Sequence, residues 1–201
     1  MAVVDIDDAV ARLRAGGLVV YPTETVYGLG ADALDPEAIE RVFEAKRRSR
    51  AKPVSLAVES IDAIGSYAQL TDRERAFCER FLPGPVTVLL ERQSIVPDVL
   101  VAGRPRVGVR VPDHEVAREL ARQAGPITAT SANRSGQSSA RIVADIDPDI
   151  RERATVLDVG ETPGGESTVV DVSAETVVRR GALANDIEAW LDGSKRQSRP
   201  E

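Results

Sequence analysis

The sequence predicts a single α/β domain with a mixed sheet. Helix-like and strand-like patterns intermix along the chain, and three strand-like runs follow one another near its end, at 155–159, 168–172 and 177–179. This arrangement is typical of a mixed sheet with helices packed against it rather than of a purely parallel sheet. The 201 residues suit one domain with a real core, and 42% apolar and 29% charged residues are ordinary globular values.

Helices are predicted where a capping side chain precedes apolar residues at helical spacing and a glycine or proline ends the pattern. The predicted N-caps are Asp5 or Asp7, Asp35, Thr71, Asp113 and Asn185, and the first four helices end at Gly16, Pro53, Pro83 and Gly125. Short apolar runs predict strands between these helices. Those strands lie at 18–21, 54–58, 86–90, 107–111 and 126–130.

The same reading places one domain at 1–192 and a disordered tail at 193–201, because the last residues are polar. The start of the chain has no basic segment before an apolar run, and no eighteen consecutive residues are apolar, so neither a secretory signal nor a membrane span is expected. A lone cysteine, Cys78, excludes an internal disulfide. We therefore expect a cytoplasmic protein without membrane contact.

Composition also excludes several kinds of chemistry. One cysteine and one histidine cannot form a Cys/His zinc site, and no G-x-S-x-G, G-x-x-x-x-G-K-[ST] or G-x-G-x-x-G pattern occurs in a suitable place. A net charge of −6, with only three Phe, three Tyr and one Trp, disfavours general nucleic-acid binding. The sequence therefore directs attention to small polar ligands.

Four sets of residues stand at strand or helix ends, where open α/β sheets bind ligands. They are 21–30, rich in hydroxyls and glycines, the cationic run 46–53, the polar loop 128–137, and the pair Arg110 and Arg179 within apolar strands. Each has an ordinary alternative: a polar turn, a solvated helix end, a hydrophilic loop or an exposed sheet face. The cationic run holds five cations and no acid from Lys46 to Lys52, so a polyphosphate would relieve their mutual repulsion.

Taken together and in order, seven segments resemble the YrdC-like family of threonylcarbamoyl-AMP synthases. These segments are Tyr21-Pro-Thr-Glu-Thr-Val-Tyr-Gly-Leu-Gly30, Lys46-x-Arg48, Phe81-Leu-Pro-Gly-Pro-Val-Thr87, Val109-Arg-Val-Pro112, Thr130-Ser-Ala-Asn133 with Ser135-Gly136, Ser167-Thr-Val-Val-Asp171, and Arg179-x-Gly181. The resemblance covers roughly residues 5–185. It implies the single-domain form of a twisted, open α/β fold with a concave, cationic face.

The resemblance also implies a reaction. Threonine, bicarbonate or CO₂, and ATP would give threonylcarbamoyl-AMP and pyrophosphate, and a partner complex would transfer the threonylcarbamoyl group to tRNA beside the anticodon. ATP would be held by Lys46, Arg48, Ser131, Asn133 and Arg179, and threonine by Thr23, Tyr27, Thr128 and Arg110. Lys46, Arg48 and Arg110 would be catalytic. Mg²⁺ would arrive on ATP, with no metal site in the protein itself.

Two departures from the family pattern bear on this expectation. Ser49 stands where many members have a proline, and Ala57 stands where many have a histidine on the threonine side. Two other functions stay open: an RNA-binding module using the cationic run, with at least a weak RNA contact, and a related carbamoyl-adenylate or nucleotide-handling enzyme on the same fold.

Overall fold

A nine-stranded mixed sheet carries the fold in the computed structural model, which describes residues 5–197, with side chains through 193. The strands are β1 (Leu18–Tyr21), β2 (Gly28–Gly30), β3 (Ser55–Ala57), β4 (Val86–Glu91), β5 (Arg106–Arg110), β6 (Ile127–Ser131), β7 (Ala154–Val156), β8 (Thr168–Asp171) and β9 (Thr176–Arg179). Their order is β7-β1-β2-β6-β3-β5-β4-β8-β9. The pairs β1–β7, β3–β5 and β4–β8 are parallel and the other neighbours antiparallel. The predicted mixed α/β fold is confirmed.

Seven α-helices flank this sheet within the described range. They are α1 (Ile6–Arg14), α2 (Pro36–Lys46), α3 (Asp72–Phe81), α4 (Asp98–Val101), α5 (Glu115–Ala124), α6 (Pro148–Arg153) and α7 (Ala184–Gln197). Asp5, Asp35 and Thr71 cap α1, α2 and α3 through their side chains, as predicted. None of these helices is both long and apolar enough to cross a bilayer.

Several boundaries differ from the sequence-based prediction. His114, rather than Asp113, occupies the N-cap of α5, and its side chain makes no capping hydrogen bond. The last helix already includes Asn185 and continues to Gln197, so the described residues after 192 are helical. The rest of the predicted tail, 198–201, lies outside the described residues.

Strand β2 was missed because its Gly-Leu-Gly sequence has no strand pattern of its own. Its glycines accommodate the ring of Tyr21 on the neighbouring strand: a Cβ on Gly28 would lie 2.7 Å from Tyr21 Cζ, and one on Gly30 would lie 3.1 Å from Cε1. The Tyr21 hydroxyl then donates to Thr128 O at 3.1 Å, on the far side of β2. A glycine strand covered by an aromatic ring is therefore specified by tertiary packing.

The central strands separate an apolar face from a polar one. In β4, Val86, Val88 and Leu90 lie in the main core, which also includes Phe77 of α3 and Leu191 of α7. Because strand side chains alternate, the intervening residues of β4 point to the opposite face. Over these central strands the core face supplies stability, and the opposite face is open and lines a cavity.

Gly181, just after β9, is a point where only glycine fits. A Cβ there would lie 2.3 Å from Glu166 O and 2.6 Å from Ser167 C, and neither backbone atom can rotate away. The absent side chain lets the chain after β9 lie against the residues that precede β8.

We expect Gly181→Ala to lower the free energy of unfolding by about 1–3 kcal/mol, because the clash forces the backbone to shift. Urea unfolding of the wild type and the variant would measure this. Gly65→Ala is the matched control, since a Cβ at Gly65 meets nothing within 4 Å. Equal effects of the two substitutions would contradict the packing argument.

Candidate active site

A cavity of about 730 Å³ lies on the open face of the sheet. Its size is within the range of sites that hold small molecules and cofactors. The residues with polar or charged side chains that line it are Tyr21, Thr23, Thr25, Arg48, Lys52, Ser55, Thr87, Arg104, Arg106, Arg110, Thr130, Ser131, Ser139, Glu166, Ser167 and Arg179. Six of these are cations and one is an acid, so the cavity favours an anionic ligand.

Alternation in β5 aims Arg106 and Arg110 into the cavity while Val107 and Val109 enter the core. Gly108 lies between the two arginines on the floor of the cavity. A Cβ at this position would lie 2.4 Å from Ser55 Oγ, so there is no room for a side chain. The centre of the sheet therefore presents backbone to a ligand, with charged side chains on either side.

A β-bulge explains how Arg179 reaches the same cavity. Val169 of β8 pairs with Arg179, but the next residue, Val170, pairs with Val177, so Val178 is the extra residue in β9. Val177 packs against the core. The bulge turns both Val178 and Arg179 toward the open face, where alternation alone would have allowed only one of them.

Arg48 and Arg179 are held by backbone carbonyls rather than by acids. Arg48 donates to Lys52 O at 3.1 Å and to Pro53 O at 2.8 Å, and Arg179 donates to Ser167 O at 2.9 Å and to its Oγ at 2.9 Å. No described carboxylate lies within 4.0 Å of either guanidinium. Burial, followed by the charge of Arg179, lowers the pKa of Arg48. The two guanidinium groups therefore repel each other, and their positive charges are available to an anionic ligand.

Arg110, unlike Arg48 and Arg179, is paired with a carboxylate. Its guanidinium donates to Glu24 Oε1 at 2.8 Å and to Thr25 Oγ1 at 3.0 Å, and Thr25 Oγ1 lies 2.9 Å from Thr23 Oγ1. Arg110 Nε and Glu24 Oε2 are buried and have no hydrogen-bond partner within residues 5–197. A paired guanidinium and carboxylate beside hydroxyls form a polar corner of both charge signs, complementary to an amino acid.

Lys46 is brought close to the cavity but does not line it. Its side chain is 1% exposed, and Nζ donates to Ser131 O and, at 2.7 Å, to Asn133 O. Burial, and to a lesser extent the charge of Arg48, lowers the pKa of Lys46 to about 7. The lysine thus joins the end of α2 to the last residue of β6, Ser131, which lines the cavity, and to the polar loop that follows.

The remaining predicted binding residues lie behind the cavity wall. Thr128 Oγ1 is fully buried, accepting from Ala31 N and donating to Leu29 O, both at 3.0 Å. Asn133 Nδ2 donates to the carbonyls of Arg134 and Gln137, so this amide shapes its own loop. These contacts keep both side chains within the fold.

Tyr27 is also directed away from the cavity. Its buried hydroxyl donates to Gly160 O at 2.7 Å and accepts from Val159 N at 3.1 Å. Both partners belong to the segment 157–167, which connects β7 at one edge of the sheet to β8 near the other. Farther along this segment, Gly164 N donates to Thr25 O at 2.7 Å, and 165–167 line the cavity. Tyr27 therefore holds in place the segment 157–167, which forms one wall of the cavity.

The structure brings together five of the nine predicted site residues, Thr23, Arg48, Arg110, Ser131 and Arg179. It adds lining residues that motif reading did not single out as binding residues, among them Ser55, Thr87, Ser139 and Glu166. Strand alternation could have suggested Ser55 and Thr87, since each precedes a core residue of its strand. Within the described residues no group of three or more His, Cys, Asp or Glu side chains could hold a metal ion.

Comparison with known proteins agrees with this geometry. A family model for Sua5, YciO and YrdC proteins, described as telomere recombination, matches residues 11–181. The threonylcarbamoyl-AMP synthase of Pyrococcus abyssi is 40% identical over 87% of this chain and 53% of its own length. A putative threonylcarbamoyl-AMP synthase of Methanocaldococcus jannaschii is 33% identical over 84% of this chain and 81% of its own length.

The crystal structure of Pyrococcus abyssi Sua5 complexed with L-threonine has the same fold. It superposes with a TM-score of 0.88 and 37% sequence identity, covering 94% of this chain. The match covers 57% of the Pyrococcus abyssi chain, so this chain spans little more than half the length of that relative.

We expect the stability of the wild type relative to Lys46→Met to rise with pH. Because burial lowers the pKa of Lys46 from 10.5 to about 7, the unfolded chain binds more protons than the folded chain between these values. The wild type should therefore gain about 2 kcal/mol of unfolding free energy relative to the variant between about pH 7 and about pH 9. Urea unfolding at both pH values would measure this, and a pH-independent difference would contradict the burial of the charge.

Proposed function

The chain belongs to the Sua5, YciO and YrdC family, and on that premise we propose that it is a threonylcarbamoyl-AMP synthase. Threonine, bicarbonate or CO₂, and ATP would be converted to threonylcarbamoyl-AMP and pyrophosphate. The observation that carries this proposal is the meeting of Arg48, Arg110 and Arg179, from three separate parts of the sequence, in one cavity. Such a cavity can bring two anions together, which is what the reaction demands.

The reaction needs positioning and charge stabilisation rather than a covalent enzyme intermediate. The neutral amine of threonine forms a bond to the carbon of CO₂ and loses a proton, which gives a carbamate. A carbamate oxygen then bonds to the α-phosphorus of ATP, and the bond to pyrophosphate breaks. Fixed guanidinium groups lower the repulsion between carbamate and triphosphate and stabilise charge on the leaving group.

The two kinds of arginine suit different parts of the substrates. Arg48 and Arg179, which have no acidic partner among the described residues, would hold the triphosphate, together with Ser131 on the neighbouring wall. Arg110, paired with Glu24, would face threonine, with Thr23 beside it. In this assignment a guanidinium attracts the amino-acid carboxylate while the acid prevents the corner from competing for phosphate.

Four of the sequence-predicted residues take a supporting role in this proposal. Lys46, Asn133, Thr128 and Tyr27 do not line the cavity, and their polar atoms bind backbone groups of the strands and loops around it. They would position Ser131, the polar loop and the segment 157–167 rather than contact a substrate directly. Ala57 is fully buried and pairs with Arg110, so the threonine side depends on Arg110 and the nearby hydroxyls.

The wider setting follows from the same proposal. Mg²⁺ would enter as the counter-ion of ATP. The product is an activated acyl-adenylate, so a transferase acting on tRNA would consume it, in the cytoplasm.

An RNA-binding module is the second candidate, favoured only by the cations at the rim of the cavity, such as Lys52 and Arg104.

We expect the purified chain to release pyrophosphate only when ATP, threonine and bicarbonate are all present. Pyrophosphate release would be followed with a coupled phosphatase assay, omitting one substrate at a time. Release that does not require threonine would reject the proposal, and activity with carbamoyl phosphate in place of threonine would indicate a related carbamoyl-adenylate enzyme. Tight RNA binding with a steep salt dependence and no pyrophosphate release would indicate the RNA-binding module.

We expect Arg48→Ala to weaken ATP binding by about 10- to 100-fold, since a charged hydrogen bond contributes roughly 1.5–3 kcal/mol. Threonine binding should change little, because Arg110 lies elsewhere in the cavity. Arg50→Ala is the matched control: Arg50 lies two residues away, but its Nε donates to Glu40 at 2.6 Å and it does not line the cavity. Calorimetric titration would compare the three proteins, and an unchanged ATP affinity in Arg48→Ala would refute the assignment.

A further inference from the structure

The chain has one histidine, His114, and the proposed reaction assigns it no role. His114 occupies the N-cap of α5, yet its side chain makes no capping hydrogen bond. The residue is half-buried, and its Nδ1 is buried without a hydrogen-bond partner among residues 5–197. Buried polar atoms are usually paired, so a ring nitrogen that neither caps the helix nor binds a neighbour requires another explanation.

The backbone places His114 close to the arginine that lines the amino-acid end of the cavity. Arg110 is the last residue of β5, and Val111 O, directly after it, accepts a hydrogen bond from Gly84 N at 3.0 Å. Pro112 follows, and its ring restricts the backbone further. The short connection from Arg110 to His114 is therefore largely fixed in place.

Glu24 interacts with both Arg110 and His114. Its Oε1 accepts from Arg110 at 2.8 Å, whereas its Oε2 is buried and, like His114 Nδ1, has no hydrogen-bond partner in the described part of the chain. Among the charged groups that act on His114, Glu24 has the strongest effect on the pKa of the imidazole, ahead of Asp113, its neighbour in sequence. The second carboxylate oxygen is thus available to the ring. We call Arg110, Glu24 and His114 the triad.

Only one member of the triad lines the cavity. Arg110 and the hydroxyl-bearing Thr25 that it contacts are lining residues, whereas Glu24 and His114 are not. An anionic group bound in this corner would therefore contact the guanidinium, with the carboxylate and the imidazole behind it. Residues behind a binding group can fix both its orientation and the charge around it.

His114 can change the charge of this corner close to neutral pH, because imidazole ordinarily titrates in that range. The charged groups that act on it come from the loop after β1, the turn before α5 and α5 itself, and they are Glu24, Asp113, Glu115 and Arg118. Burial outweighs them and lowers the pKa of His114, so the imidazole is neutral at pH 7.

The net charge of the triad therefore depends on His114. Tyr21 also lies near Arg110 and Glu24, but burial raises the pKa of its hydroxyl, so it stays neutral. The charges of Arg110 and Glu24 cancel while His114 is neutral. Protonation of His114 makes the triad net positive, which favours an anionic group in front of Arg110.

We propose that His114 is a positioning residue that holds the Glu24 carboxylate behind Arg110, and that threonine binding is coupled to protonation of His114 through this triad. The identity of the ligand rests on the proposed function. When the threonine carboxylate contacts Arg110, its negative charge favours the imidazolium form. The imidazole takes one proton from solvent, and Nδ1 then donates to Glu24 Oε2. By reciprocity, protonated His114 favours threonine.

Calorimetry of threonine binding at about pH 7.5 and about pH 5.5 tests the coupling, since free threonine stays zwitterionic across this range. We expect the wild type to bind threonine about threefold more tightly at the lower pH. It should also take up protons on binding, so the measured heat should depend on the ionisation enthalpy of the buffer. His114→Asn should show neither effect, because asparagine does not titrate. Asparagine is a favoured N-cap, so α5 should still form.

The single histidine also allows a measurement that does not depend on activity. NMR titration of its imidazole should show that threonine raises the pKa of His114, because the bound carboxylate adds negative charge. In Glu24→Gln the pKa of His114 should be lower than in the wild type, because the carboxylate charge is removed. A pKa of His114 that responds to neither change would overturn the proposal.

Glu115→Gln is the matched control. Glu115 also acts on His114, but it is an exposed residue of α5 and does not line the cavity. This variant should keep both the proton uptake and the tighter binding at low pH. ATP affinity of His114→Asn at about pH 7.5 should stay within about twofold of the wild type, because Arg48 and Arg179 are unaltered. Equal threonine affinity of the wild type at both pH values, or tighter binding at low pH that persists in His114→Asn, would overturn the coupling.

The coupling and the proposed function fail in different ways. Threonine-dependent pyrophosphate release by the wild type, combined with threonine binding that takes up no protons, would reject the coupling alone. Proton uptake that His114→Asn abolishes, combined with no threonine-dependent release by the wild type, would retain the coupling and reject the synthase. Wild-type protein that does not bind threonine would reject both.

Discussion

The cleft depends on guanidinium groups that are held by backbone carbonyls and have no acidic partner in the part of the chain that the structure describes. Arg48 and Arg179 are close enough for one to lower the pKa of the other, and both are held by backbone carbonyls rather than carboxylates. Carbonyl dipoles orient a cation without cancelling its charge, so the groups are fixed in place before a ligand arrives. Lys46, which is buried behind the cavity wall, is held in the same way, because two backbone carbonyls accept hydrogen bonds from its ammonium group. The fold thus maintains a region of positive potential inside a protein whose net charge is negative.

This arrangement makes the sheet both scaffold and binding surface. Helices pack on both faces of the sheet near β1, but over β4, β5 and β8 the strand residues that alternate away from the core supply the floor of the cavity. Gly108 keeps that floor low, and the bulge at Val178 adds an arginine and an aliphatic group at its far end. In the proposed synthase the substrates would lie across the strands, with threonine toward Arg110 and the triphosphate toward Arg48 and Arg179. The order of chemical groups along the cleft would follow the order of strands.

Local sequence rules predicted much of this structure. The side-chain caps Asp5, Asp35 and Thr71 were correct because a cap depends on residues three positions apart or fewer. Motif order predicted five cavity residues because those motifs lie at strand and helix ends. Tyr27 and Thr128 were expected to contact a ligand, yet their hydroxyls bind backbone groups that are distant in sequence. Such pairings, like the bulge in β9, depend on strands meeting in three dimensions, which a single sequence does not encode locally.

The segment 157–167 also has a mechanical meaning. It joins β7 at one margin of the sheet to β8 next to the other, seven strand spacings away, which on a flat sheet is about 34 Å. Eleven fully extended residues span roughly 36–40 Å, so on a flat sheet the connection would have little slack. The length of this connection therefore limits how far the sheet can flatten. Trimming it by even one or two residues would tighten the curl and narrow the groove, whereas a longer version would let the margins spread, so groove width is in part a property of loop length.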